Sequence, residues 1–73
     1  MANVKVQSEI SGSVWKIEVA VGDAVQEDDT IVLLESMKME IPVPAPRQGK
    51  VASIDVKEGQ AVAEGQVIAT LEV

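Results

Sequence analysis

Residues 35–40 read Glu-Ser-Met-Lys-Met-Glu, almost at the midpoint of the chain. The group with chemistry to offer is the Lys38 amine, which can be acylated once it loses its proton. An ordinary lysine amine is protonated at neutral pH and is not nucleophilic. Nothing in the neighbouring sequence would activate Lys38. Acylation therefore requires a partner that deprotonates it and presents an activated acyl group. Met37 and Met39 are flexible and polarizable, which suits a surface that several partners must grip. Glu35 and Glu40 are candidates to assist docking of such a partner, and Ser36 belongs to the same recognition stretch. The plainer alternative puts one methionine into the core, makes the acids a solvated rim and leaves Lys38 an ordinary surface residue. A second cluster, Glu27-Asp28-Asp29, is a candidate cation site. It lacks EF-hand spacing, and consecutive acids in a turn ordinarily face solvent. No glycine-rich phosphate loop opens a helix.

Composition removes other chemistries. The chain has no cysteine and no histidine, so thiolate metal sites, disulfides and Ser-His triads are absent. It has no Phe or Tyr and one Trp, so base stacking is not a binding mode. The net charge is −6 with scattered basic residues, the wrong sign for nucleic acid or an anionic membrane. No apolar run reaches membrane-spanning length, and the first residues do not read as a signal peptide. The expected compartment is the cytoplasm. At 73 residues, the expectation is one domain over 1–73 with an aliphatic core, rich in β-branched Val and Ile.

The elements that position Lys38 come from an internal repeat. Residues 14–35 lie over residues 51–72 without a gap at a shift of 37. Val14, Ile17, Val19, Gly22, Ala24, Val25, Glu27, Ile31, Leu34 and Glu35 each meet an identical residue. Gly12 meets Gly49, Val6 meets Val43 and Val4 meets Ile41. Strands are expected over 16–20, 31–34, 53–57 and 67–71, where polar and apolar residues alternate or apolar runs occur. A short helix through 23–27 is the alternative for that segment. Gly12, Gly22, Gly49, Gly59 and Gly65 are read as turn residues. Asp28 stands where the other half has Gly65, which predicts a left-handed backbone there. In Pro42-Val43-Pro44-Ala45-Pro46 the prolines share one parity. They remove donors along one edge only, as a protected edge strand would; an extended polyproline-type loop is the alternative, and the match of Ile41 and Val43 to Val4 and Val6 favours the strand.

Two strand-rich halves this short must share one core. The expected fold is all-β, a flattened barrel or sandwich of two sheets, with about four strands per half and an approximate two-fold axis. Subtracting the shift from Lys38 gives residue 1. The Lys38 turn is therefore the counterpart of the chain termini and should lie at the opposite end of the domain. A tight hairpin there needs positive φ, yet Met37-Lys38 offers no glycine. Local chemistry at odds with the global pattern marks a candidate site.

Glu35-Ser36-Met37-Lys38-Met39 resembles the E-A-M-K-M attachment motif of biotinyl domains, with Ser36 in place of Ala. Pro44-Ala45-Pro46-Arg47-Gln48-Gly49-Lys50-Val51 resembles the A-P-x-x-G-x-V that follows it, and Val19-Ala20-Val21-Gly22-Asp23-Ala24-Val25 resembles the V-x-x-G-D-x-V turn of biotinyl and lipoyl domains. The resemblance covers the whole chain and is closest to small stand-alone attachment proteins. It implies a flattened eight-stranded barrel with a modified lysine at an exposed tip. It implies biotin joined to Lys38 by a biotin protein ligase, and CO₂ carried from a biotin carboxylase to a carboxyltransferase. It implies a non-catalytic carrier. No insertion between Gly12 and Lys38 leaves room for the thumb of some acetyl-CoA carboxylase carriers. Lipoyl domains share the fold but usually carry D-K-A at the lysine. Glu40-Ile41-Pro42-Val43-Pro44-Ala45-Pro46 is also similar to lipoyl-domain sequences, so lipoate on Lys38 through a lipoyl ligase is the alternative. A third reading, from another class, is an unmodified adaptor module.

Overall fold

The computed structural model describes residues 2–73. Eight strands occur in the order β1 (Asn3–Gln7), β2 (Gly12–Ile17), β3 (Ala24–Val25), β4 (Thr30–Ser36), β5 (Met39–Pro44), β6 (Gly49–Ile54), β7 (Ala61–Val62) and β8 (Val67–Glu72). They form two antiparallel four-stranded sheets, ordered β1-β8-β6-β3 and β5-β4-β2-β7. A shift of 37 residues turns each strand of one sheet into a strand of the other, the two-fold relation expected from the repeat. Residues 23–27 hold strand β3 and no helix.

The buried core follows the same pairing. Val6 and Val43, Val14 and Val51, Val25 and Val62, Ile31 and Ile68, and Leu34 and Leu71 are all buried and repeat-related. Each half thus lines both sheets with aliphatic side chains, removing them from water at about 25 cal/mol per Å². Ser8 is the buried polar residue, at the place where the second half has Ala45. Its hydroxyl donates to the Ile10 carbonyl and accepts from the Ile10 N–H, so the polar group is satisfied inside the core.

Four turns share one construction. Ala20–Asp23, Gln26–Asp29, Lys57–Gln60 and Ala63–Gln66 each close with a bond from the fourth N–H to the first carbonyl, at 3.0–3.1 Å. In each, the fourth side chain accepts the first residue's N–H: Asp23, Asp29, Gln60 and Gln66, at 2.9–3.1 Å. The third residue has positive φ: Gly22 at 96°, Asp28 at 73°, Gly59 at 87° and Gly65 at 85°. A type II turn requires this of its third residue. Asp28 thus adopts the left-handed backbone inferred from its match to Gly65. Asp29 holds its own turn closed, and no group of three metal-ligating side chains forms among the described residues.

The strands differ from expectation at two places. The segments 16–20 and 53–57 were expected as strands, but β2 and β6 stop at Ile17 and Ile54. Trp15 is an extra residue against β4: Val14 pairs with Leu34 and Lys16 with Leu33. Ala52 is the matching extra residue in β6. Such bulges bend the strand. Beyond them the chain leaves its own sheet and crosses to the other, where Gly22 N–H bonds to Val51 O and Gly59 N–H to Val14 O. Gly12 and Gly49, expected in turns, open β2 and β6 instead. Their requirement is space. A Cβ on Gly12 would lie 2.6 Å from the Glu35 carbonyl oxygen, and one on Gly49 would lie 2.8 Å from that of Glu72.

Candidate functional site

Strands β4 and β5 form a two-residue hairpin. Ser36 pairs with Met39, Glu35 with Glu40 and Leu34 with Ile41. Met37 and Lys38 are the loop, with φ of 53° and 65°. Positive φ at both loop residues is the signature of a type I′ turn, whose twist matches that of the strands. The sequence has no Asn or Gly there, so two ordinary L-residues occupy a backbone region that favours glycine. The turn survives because the ladder behind it is fixed. Leu34 is fully buried on β4, and Gly12 lets β2 lie close against the Glu35 carbonyl.

The tip lies at one end of an elongated body measuring 37 × 17 × 17 Å. Gly12 sits beside Glu35, just behind the tip. From there the chain runs to Asp23, whose carbonyl accepts from Val51, and Val51 pairs with Leu71 near the other end. Ala2 and Val73 exchange backbone bonds of 3.3 and 2.9 Å there, the repeat image of the Ser36–Met39 pair. Met1, the repeat image of Lys38 itself, lies outside the described residues. The tip and the termini occupy opposite ends, as the repeat requires.

Met37 is 91% exposed and Met39 63% exposed, so neither fills the core. Lys38 is exposed, and Glu35 and Glu40 are exposed on the same outer face. Among the described residues the one ion pair is Lys16 with Glu18, at 3.6 Å. The Lys38 ammonium therefore stands in solvent with no carboxylate holding it. Ser36, which ends β4 and pairs with Met39, is half-buried. An acyl group joined to Lys38 Nζ would meet no protein wall at the tip. The arrangement fits a long covalent adduct, since nothing in the hairpin would need to move.

Glu35 and Glu40 form a direct cross-strand pair one step behind the tip. The closing Ser36–Met39 pair is hydrogen-bonded, so alternation makes Glu35–Glu40 the non-hydrogen-bonded kind, with side chains closest. In the other half the same pair is Asn3 with Glu72. The doubled acid is peculiar to the Lys38 end.

The structure brings Glu35, Ser36, Met37, Lys38, Met39 and Glu40 into one tip. Gly22, Asp28, Gly49 and Gly65 lie away from it as scaffold; Gly59 is at the tip's end of the body, its N–H bonded to the Val14 carbonyl, and Gly12 packs directly against the Glu35 carbonyl behind the hairpin. Trp15, half-exposed on its bulge, was not legible as a surface residue, because an alternating pattern does not register an inserted residue. Glu58 was also missed: its carboxylate accepts the Ile17 N–H at 3.1 Å, just after the bulge.

A family model described as "Biotin-requiring enzyme", of the biotin/lipoyl group, matches residues 3–71. The chain is 42% identical over 66 residues to the Biotin/lipoyl attachment protein of Bacillus subtilis, covering 90% of each. It is 44% identical over 66 residues to the Biotinylated protein TB7.3 homolog of Mycobacterium leprae, covering 90% of this chain and 93% of that one. The crystal structure of the Kluyveromyces lactis urea carboxylase contains a match with a TM-score of 0.93 at 36% identity. That match covers 99% of this chain and 6% of the urea carboxylase. The two-sheet fold with its exposed hairpin lysine is that of a cofactor attachment domain. The chain belongs to the biotin/lipoyl attachment family. Membership ties it to a covalently attached biotin or lipoate.

Proposed function

We propose that this protein is a biotin carboxyl carrier with Lys38 as the attachment residue. The observation that carries the reading is Lys38 itself, exposed and unpaired on a two-residue turn between two exposed methionines. A biotin protein ligase grips Met37 and Met39, with Glu35 and Glu40 assisting and Ser36 tolerated in place of Ala. Lys38 Nζ loses a proton to the ligase and attacks the activated carboxyl carbon of biotin. The activating group leaves, and an amide bond replaces it. Bound biotin supplies a ring nitrogen that holds CO₂ as a carboxylate.

The remaining work of this chain is mechanical. The φ-positive turn aims Lys38 away from the body, and the aliphatic core keeps that body rigid. Lys38 at the exposed tip would present the group it holds to a biotin carboxylase and afterwards to a carboxyltransferase while the barrel docks outside. Neither active site belongs to this chain, which acts as a carrier and not as an enzyme. The name of the Mycobacterium leprae relative, a biotinylated protein, supports biotin over lipoate. Purified protein incubated with ATP, biotin and a biotin protein ligase should gain one biotin mass, and Lys38→Arg should gain none. Incorporation into Lys38→Arg would overturn the assignment of the residue. Modification by a lipoyl ligase alone would replace biotin with lipoate.

A further inference from the structure

We propose that the cleft between β1 and β5 takes an extended basic peptide, which adds to β1 as a further strand. This does not rest on the attachment reading. β1 and β5 are repeat-related edge strands, one from each sheet, and a cleft of about 690 Å³ lies between them. Its size falls within the roughly 300–1,000 Å³ of ordinary ligand clefts.

The two edges have opposite backbone chemistry. Met39 pairs with Ser36, so by alternation Ile41 and Val43 bond to β4, and Ala45 donates to the Asp29 carbonyl at 2.7 Å. The residues facing away are Glu40, Pro42, Pro44 and Pro46. The three prolines have no N–H, so this edge offers carbonyls but cannot pair as a full strand. On β1 the Ala2–Val73 exchange fixes the same alternation: Val4 and Val6 bond to β8, and Lys5 and Gln7 face away. At these places, the counterparts of Pro42 and Pro44, β1 keeps both N–H and C=O. One edge of the cleft is blocked and the other is a complete template for strand addition.

The lining states what chemistry the added strand must have. Half-buried Ile10 and Ile41 and the exposed rings of Pro42, Pro44 and Pro46 supply an apolar wall. Glu9, Asp28 and Glu64 set three acids against the single base Lys5. An extended segment with alternating apolar and basic residues matches both features, and the net charge of −6 would draw it in.

The test uses the full chain labelled with ¹⁵N and an acetylated, amidated Val-Lys-Val-Lys-Val-Lys-Val peptide. The expected result is saturable binding with a dissociation constant of about 1 mM or tighter. The Lys5 and Gln7 amides should shift, and their hydrogen exchange should slow tenfold or more. Affinity should fall several-fold as salt rises, because the attraction is partly between exposed charges. Gln7→Pro copies what the second half already tolerates at Pro44, so the fold should persist, as the Val4 and Val6 exchange rates would report. This variant should lose at least tenfold in affinity, while Gln7→Ala keeps it. The proposal is overturned if no saturable binding occurs, if Gln7→Pro binds as the parent does, or if a Val-Glu peptide binds equally well. Protection of Lys5 and Gln7 on raising the protein concentration alone would also overturn it, assigning the edge to a second copy of this chain.

Discussion

Glu35 and Glu40 face each other across the β4–β5 hairpin, one residue pair behind Lys38. Like charges placed directly opposite on a sheet destabilise it by about 0.2–1 kcal/mol. The repeat shows the fold does not require this, since Asn3 faces Glu72 at the other end. Glu40→Asn should therefore raise unfolding free energy by about 0.2–1 kcal/mol in urea denaturation. On the proposed function the same change lowers kcat/KM for ligation, because the partner loses a docking charge. A variant that is both less stable and equally well ligated would contradict that role.

Met37 and Lys38 hold positive φ without glycine. Non-glycine residues in this region carry strain of order 1–3 kcal/mol each. Met37→Asn together with Lys38→Gly installs the favoured type I′ pair. The double variant should be more stable by about 1 kcal/mol or more, and it should be unmodifiable. Equal or lower stability by thermal and urea unfolding would show that the parent turn is unstrained.

Gly12 and Gly49 make an internally controlled pair. Gly12→Ala would press a methyl into the Glu35 carbonyl, and Gly49→Ala would press one into the Glu72 carbonyl. Each should lose about 1–3 kcal/mol, the ordinary range for overpacking. Only Gly12→Ala lies behind the tip, so only it should also slow ligation at temperatures where both variants are folded.

Gly22, Gly59 and Gly65 have positive φ and open space where a Cβ would go. Substitution by Ala there isolates backbone strain from crowding. Each should cost about 1–2 kcal/mol, the left-handed penalty for an L-residue. Asp28→Gly should be neutral or mildly stabilising, because Asp28 already occupies the same conformation at 73°.

The legible parts of this fold were those the repeat exposed. Matching Asp28 to Gly65 disclosed a backbone angle, and the parity of Pro42, Pro44 and Pro46 disclosed an edge. Lys38 could be placed at the tip because its repeat image fell on the chain start. What stayed hidden depends on three-dimensional register. The bulges at Trp15 and Ala52 insert a residue that no period-two pattern marks, and they move the strands back from Ala20 and Lys57 to Ile17 and Ile54. Gly12 and Gly49 read as turns because glycine often marks turns. Their real constraint is a carbonyl on a neighbouring strand, which sequence spacing does not display. The shared side-chain closure by Asp23, Asp29, Gln60 and Gln66 was missed because Asp and Gln look unlike, although both present an acceptor oxygen.

The most direct measurement is the intact mass of the protein from its own cells, followed by peptide mapping across residues 36–47. The proposed function predicts a single biotin adduct, carried on Lys38. A lipoyl adduct on Lys38, or an unmodified Lys38 in cells whose other carriers are fully modified, would contradict it.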